Sequence, residues 1–126
     1  MKADPVQVTI VAASAETLDG LQGYLSRAGV GARGTRQLTG ADADPCSAII
    51  LFPDDFSPTD VLRELRRLRR ERPSVVPLVI TGEPKRYAET GEAEGNGPTP
   101  IVLLKPAWGW TILEAIREAT DPHNVE

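Results

Sequence analysis

Two adjacent carboxylates stand just past an apolar run in the segment AIILFPDDFSPTD, residues 48–60. Paired acids can ligate a hard cation through oxygen or supply a nucleophilic carboxylate. Asp54 and Asp55 are therefore the first candidates for chemistry, and the residue just before their loop, Phe52, could not do that work. A second concentration of charge is VLRELRRLRRER, residues 61–72, which carries Arg63, Arg66, Arg67, Arg69, Arg70 and Arg72 against Glu64 and Glu71. Most of these arginines fall away from the leucine stripe on a helical wheel, so the exposed face is expected to be cationic. It could be a solvated face, a dock for an acidic partner or, in the absence of interleaved aromatics, less readily a nucleic-acid surface. His123 has no second metal ligand nearby and is expected to be solvated. Gly29, Gly31 and Gly34 open no helix and form no phosphate loop.

These side chains need elements to position them. Residues 6–13 (VQVTIVAA) read as a buried strand, with Ser14 as the cap of a helix whose stripe is Leu18, Leu21, Leu25 and Ala28 and which Gly29 stops. Residues 30–38 are a weak second strand, and 39–45 (TGADADP) are turn-like, so a second helix is expected to be short or missing. SAIILF at 47–52 is the strongest strand, apolar on both faces. Ser57, Pro58 and Asp60 then start a helix with Val61, Leu62, Leu65 and Leu68 inward, running to about Glu71 before Pro73. A fourth strand follows at 75–81, a poorly amphipathic helix within 83–97, a fifth strand at 101–104, and a closing helix at 110–119. Five strands alternating with helices predict an open, doubly wound parallel sheet, whose sites form at the C-terminal strand ends.

The bulk numbers agree with one domain. The chain has 126 residues, 40% apolar and 25% charged, with aromatics at 5%, so the core is mostly aliphatic. A net charge of −4 does not favour polyanions, and the lone Cys46 excludes an internal disulfide and a cysteine metal cluster. No stretch approaches a membrane span, and a soluble, cytoplasmic protein is expected.

The order of elements, Thr81 at the end of the fourth strand and Lys105-Pro106 after the fifth (IVLLKPAW) resemble the receiver domain of two-component response regulators. The resemblance covers residues 6–120 or so and implies a flavodoxin-like (βα)5 sheet of order 2-1-3-4-5. In that family a pair of acids ending the first strand holds Mg²⁺, an Asp ending the third strand accepts phosphate from a histidine kinase, and the Thr and Lys contact the phosphoryl oxygens. Here Ala12 and Ala13 stand at the acid positions and Phe52 at the acceptor position, while Val102 replaces an aromatic that commonly precedes the Lys. Only Thr81 and Lys105 remain of the constellation. The resemblance also implies that Lys105-Pro106 can be a cis peptide.

The sequence is accordingly read as a pseudo-receiver over residues 1–120 with a polar tail at 121–126. It is expected to be a phosphorylation-independent interaction module, with no enzymatic activity, cofactor or metal. Phe52 is expected to pack near Ala13 and Thr81. Asp54 or Asp55 could be a displaced phosphoacceptor, could partner Lys105, or could lie in a solvated loop beside the next helix. Trp108 and Trp110 flank Gly109, and at least one is expected to project. With Tyr87 and the edge at Ile101 and Val102 they would form a surface for a protein partner or a second copy.

Overall fold

The computed structural model describes residues 6–41, 45–88 and 100–120. Five strands make one parallel sheet: β1 (Gln7–Val11), β2 (Gly31–Thr35), β3 (Ala48–Leu51), β4 (Val76–Thr81) and β5 (Ile101–Leu104). Their order is β2-β1-β3-β4-β5, as expected. Among the described residues α1 (Ala15–Arg27), α2 (Pro58–Glu71) and α3 (Pro84–Ala88) lie between strands and α4 (Gly109–Thr120) follows β5, with a 3-10 turn at Pro53–Asp55. No helix occurs between β2 and β3 among the described residues. The part of the expected fourth helix beyond Ala88, the polar tail and His123 lie outside the described residues.

Alternation along the strands divides the core into two layers. Val8, Ile10 and Ala12, Ala48 and Ile50, and Leu78 and Ile80 pack with Leu18 and Leu25 of α1 and Ile112, Leu113 and Ile116 of α4. Val11, Ile49, Leu51 and Val79 pack on the other side with Val61, Leu65 and Leu68 of α2 and with Tyr87 of α3. β1 and β3 are in register, Val8 opposite Ala48 and Val11 opposite Leu51, so their C-terminal ends finish level and share one rim. In the described residues no helix is long and apolar enough to cross a membrane.

The helix boundaries follow their signals. Ser14 caps α1 by accepting from the Thr17 N–H at 3.2 Å. Gly29 leaves α1 at φ 89°, a backbone that residues with a side chain rarely adopt. Pro58 opens α2 at its first position, where a missing N–H costs no helical bond; Ser57 is the cap residue, but its side chain makes no capping bond.

Candidate functional site

At the C-terminal rim, the turn after β3 brings Asp54 against the ends of β4 and β5. Asp54 Oδ1 accepts from the Thr81 hydroxyl at 2.6 Å, and Oδ2 accepts from the Gly82 N–H at 2.9 Å and from Lys105 Nζ at 3.3 Å. Asp55 takes a different partner: its Oδ2 accepts from the Ala13 N–H at 2.9 Å. The two acids thus tie the β3 turn to β4 and β5 on one side and to the end of β1 on the other.

Thr81 is fully buried, and its hydroxyl accepts from the Glu83 N–H at 2.9 Å while donating to Asp54. A hydroxyl has one proton, so this orientation commits it to the carboxylate. Partial burial pushes the Asp54 pKa up, but the Gly82 N–H, the Thr81 hydroxyl and the Lys105 ammonium outweigh it and hold the carboxyl below its ordinary value. Asp54 is a carboxylate at neutral pH with a donor on each oxygen.

The loop is solvent-exposed as one reading expects, but its acids are not free of partners: both accept from named donors, and Asp54 is the carboxylate that Lys105 finds. The expected position of Phe52 is also revised. It continues the parity of Ala48 and Ile50, so its ring packs against the α1 and α4 layer and lines a cavity of about 400 Å³ with Leu21, Tyr24, Ala107, Trp110 and Ile112. Thr81, on β4, shares the parity of Val79, which packs in the other layer, and its hydroxyl turns to Asp54. Strand alternation, which the sequence displays, could have separated Phe52 from Thr81.

Ala12 is buried in the α1 and α4 layer, and Ala13 contributes only backbone: its carbonyl accepts from Arg36 Nε at 2.9 Å. The residues do not suit the Mg²⁺ that the family resemblance implies. Neither strand-end acid is present, both oxygens of Asp54 and Oδ2 of Asp55 are engaged by N–H, O–H and ammonium donors, and no group of three metal-ligating side chains gathers among the described residues. Lys105-Pro106 is cis.

Trp108 and Trp110 both project, at 62% and 59% exposure, with Leu104 at 61% beside them in sequence. The two indoles stack on one another, centroids 5.1 Å apart and planes within 3°. Gly109 lies between them against the Tyr24 ring, where even a methyl group would come within 3.1 Å. Ile101 and Val102 are half-buried on β5, which ends the sheet order. Tyr87 does not join this surface. It is 1% exposed and belongs to the α2 layer, because α3 has no other large apolar side chain with which to hold itself to the sheet.

The arginine face of α2 is partly neutralised from within, five arginines standing against Asp60, Glu64 and Glu71. Arg67 grips the buried Glu64 with two bonds, Nε to Oε1 at 3.2 Å and Nη2 to Oε2 at 2.6 Å, and reaches Glu71 at 3.1 Å. Arg63 pairs with Asp60 at 3.2 Å and Arg70 approaches Glu71 at 3.8 Å. Arg63, Arg66, Arg67 and Arg70 line one groove with Thr59 and Glu71, which keeps a cationic excess within this network of pairs.

The sheet order, the rim and the Thr81 and Lys105 positions define the chain as having the fold of a response-regulator receiver domain. It is similar to the signal receiver domain of an HD domain-containing protein from Pseudomonas fluorescens Pf-5, at 22% identity, TM-score 0.73, covering 98% of this chain and 100% of that one. It is also similar to a response regulator from Thermotoga maritima, at 16% identity and TM-score 0.72, covering 92% and 98%. A chemotaxis response regulator of Vibrio cholerae aligns at 18% identity and TM-score 0.70, covering 92% and 99%. No family model and no curated protein matches the chain.

Proposed function

We propose that this domain is a phosphorylation-independent signalling module of the two-component type, a pseudo-receiver that works by binding protein rather than by catalysis. One observation carries the reading. The donors of Thr81, Gly82 and Lys105 are satisfied by Asp54, a carboxylate of the chain itself, while positions 12, 13 and 52 offer alanine, alanine and phenylalanine. An in-line phosphoryl transfer needs an acceptor oxygen with room beside these donors and a cation to balance charge. Neither requirement is met by the residues present. Incubation with Mg²⁺ and a small phosphodonor, followed by intact mass measurement, is expected to leave the mass unchanged. A phosphoadduct removed by Asp54→Asn or Asp55→Asn would overturn the reading.

A second reading has its own observation. Lys105 and Asp54 are an ion pair at 3.3 Å, so Asp54 could serve as a displaced acceptor. Against it, the attacking Asp54 oxygen would have to release its donors, Thr81 from Oδ1 or Gly82 and Lys105 from Oδ2, before it could meet an incoming phosphoryl group. Asp55 is less suited, because its recorded bond is to the Ala13 N–H and not to Thr81 or Lys105. Binding of an acidic partner or of nucleic acid through α2 draws on a smaller cationic excess than the arginine count suggests, because Asp60, Glu64 and Glu71 pair with part of it.

The binding surface we favour is Leu104, Trp108 and Trp110 with the β5 edge at Ile101 and Val102. Large aromatics in water concentrate binding energy when a partner covers them. Sedimentation of wild type and of Trp108→Ala/Trp110→Ala tests self-association: a concentration-dependent dimer that the double variant loses supports a homodimer. A monomeric wild type assigns the surface to a heterologous partner, and a partner whose affinity ignores both substitutions removes the surface from the proposal.

A further inference from the structure

The site at the rim has the construction of an anion receptor that is already filled. Two of its donors are fixed without help from the carboxylate, the Thr81 hydroxyl by its bond from the Glu83 N–H and the Gly82 N–H by the end of β4; the third, Lys105 Nζ, ends a half-exposed side chain whose backbone N–H donates to the Thr81 carbonyl at 2.9 Å and whose ammonium is held by Asp54. The occupant arrives from a third place, the turn after β3, and uses both oxygens. Lys105 is also the first residue of the short link from β5 to α4. That link begins beside Leu104 and passes to Trp108, whose carbonyl accepts from the Ile112 N–H at 3.1 Å to start α4. The exposed side chains of the proposed binding surface therefore sit at the two ends of a segment whose first side chain is held by Asp54.

We propose that Asp54 is a resident internal ligand, whose carboxylate occupies the donor set of Thr81, Gly82 and Lys105 and thereby fixes the Leu104 to Trp110 segment in its binding shape. The inference rests on the phosphorylation-independent reading and adds what replaces phosphate: the signal is built in as a side chain, so the surface is formed without a modifying enzyme. It also gives the emptied site a ligand class. With the carboxylate removed, the same donors would accept a small monoanionic carboxylate in its place. Neighbouring Asp55, held on the Ala13 N–H, adds a negative charge that favours a singly charged ligand over a more highly charged one.

The test is chemical rescue in the full chain. Asp54→Ala is expected to shift the fluorescence of the two tryptophans, and sodium formate at millimolar concentrations is expected to return it toward wild type along a saturable curve. Sodium chloride at the same ionic strength should not do so, and wild type should not respond to formate. Lys105→Met should reproduce the tryptophan shift without being rescued. Should Asp54→Ala lose its far-ultraviolet helix signal, Asp54→Asn takes its place. The amide can still accept from one donor while losing the Lys105 charge pair, so a smaller shift in the same direction is expected. Tryptophan fluorescence unchanged in both Asp54→Asn and Lys105→Met, or a wild type that responds to formate as the alanine variant does, overturns the proposal. Because no phosphodonor is present, that failure is distinct from a mass gain, which would instead strike the phosphorylation-independent reading.

Discussion

Two clusters of carboxylates and cations are built from the same chemistry in opposite ways. On α2, Arg67 bridges Glu64 and Glu71, and Arg63 pairs with Asp60, all at spacings of three or four residues on one helix. At the rim, Asp54 joins Thr81, Gly82 and Lys105 across three separate elements. The first cluster follows from helical periodicity and stiffens a single element. The second exists only once the sheet is assembled, and it makes the ends of β3, β4 and β5 depend on one another. Local pairs support a helix; long-range ones can transmit a change from one element to another.

The largest expected effect lies in the buried part of the helical cluster. Glu64 is 6% exposed, so Arg67→Ala would leave its carboxylate without the two-bond partner and should destabilise by about 2–3 kcal/mol in a urea melt. A loss below ~0.5 kcal/mol would mean that the carboxylate relaxes to water. Next comes Asp54→Ala, expected to cost about 1–2 kcal/mol, since Lys105 can turn to solvent but the buried Thr81 hydroxyl cannot. Its pH signature separates the two regions. The folded pKa of Asp54 lies below its ordinary value of 3.8, so its charge stabilises the fold fully above that value. The stability gap between wild type and Asp54→Asn should therefore hold constant at neutral pH and close as pH falls below 3.8 and through the folded pKa. A gap that stays constant through the acid range would assign the effect to packing rather than to the charge. The smallest effect should be Arg63→Ala: the pair with Asp60 is exposed on both sides, and a change within ~0.5 kcal/mol that vanishes in high salt is expected.

The same contrast explains what could be read from the sequence. The sheet order came from the resemblance and the alternation of elements, and β5 agrees with its expected residues because IVLL is bounded by proline-rich polar sequence. α2 begins at Pro58 and ends at Glu71 as its cap and stripe require. Asp54 was recognised as one possible partner of Lys105, but nothing local dictates where a side chain in a 3-10 turn points. Its direction is decided by donors 27 and 51 residues away. Tyr87 was placed on the surface because PKRYA has no apolar stripe; in a helix of five residues, one aromatic anchor is enough. Phe52 is expected near Ala13 and Thr81 from its place at the strand end, whereas its parity with Ile50 puts the ring against the α1 and α4 layer.

The parallel sheet also sets an order in time. β1 pairs with β2 on one side and with β3 on the other, and Val8 meets Ala48 only after the whole of α1, β2 and the following connection have been passed. β4 and β5 likewise join across the chain between Leu78 and Ile101. Every strand pairing therefore closes a long loop before it gains a hydrogen bond, which places folding among the slower mixed α/β domains rather than with helical bundles. During synthesis the first strand made has one flank open until the third emerges. Asp54, in the turn that follows β3 directly, must wait longer still for Thr81, Gly82 and Lys105.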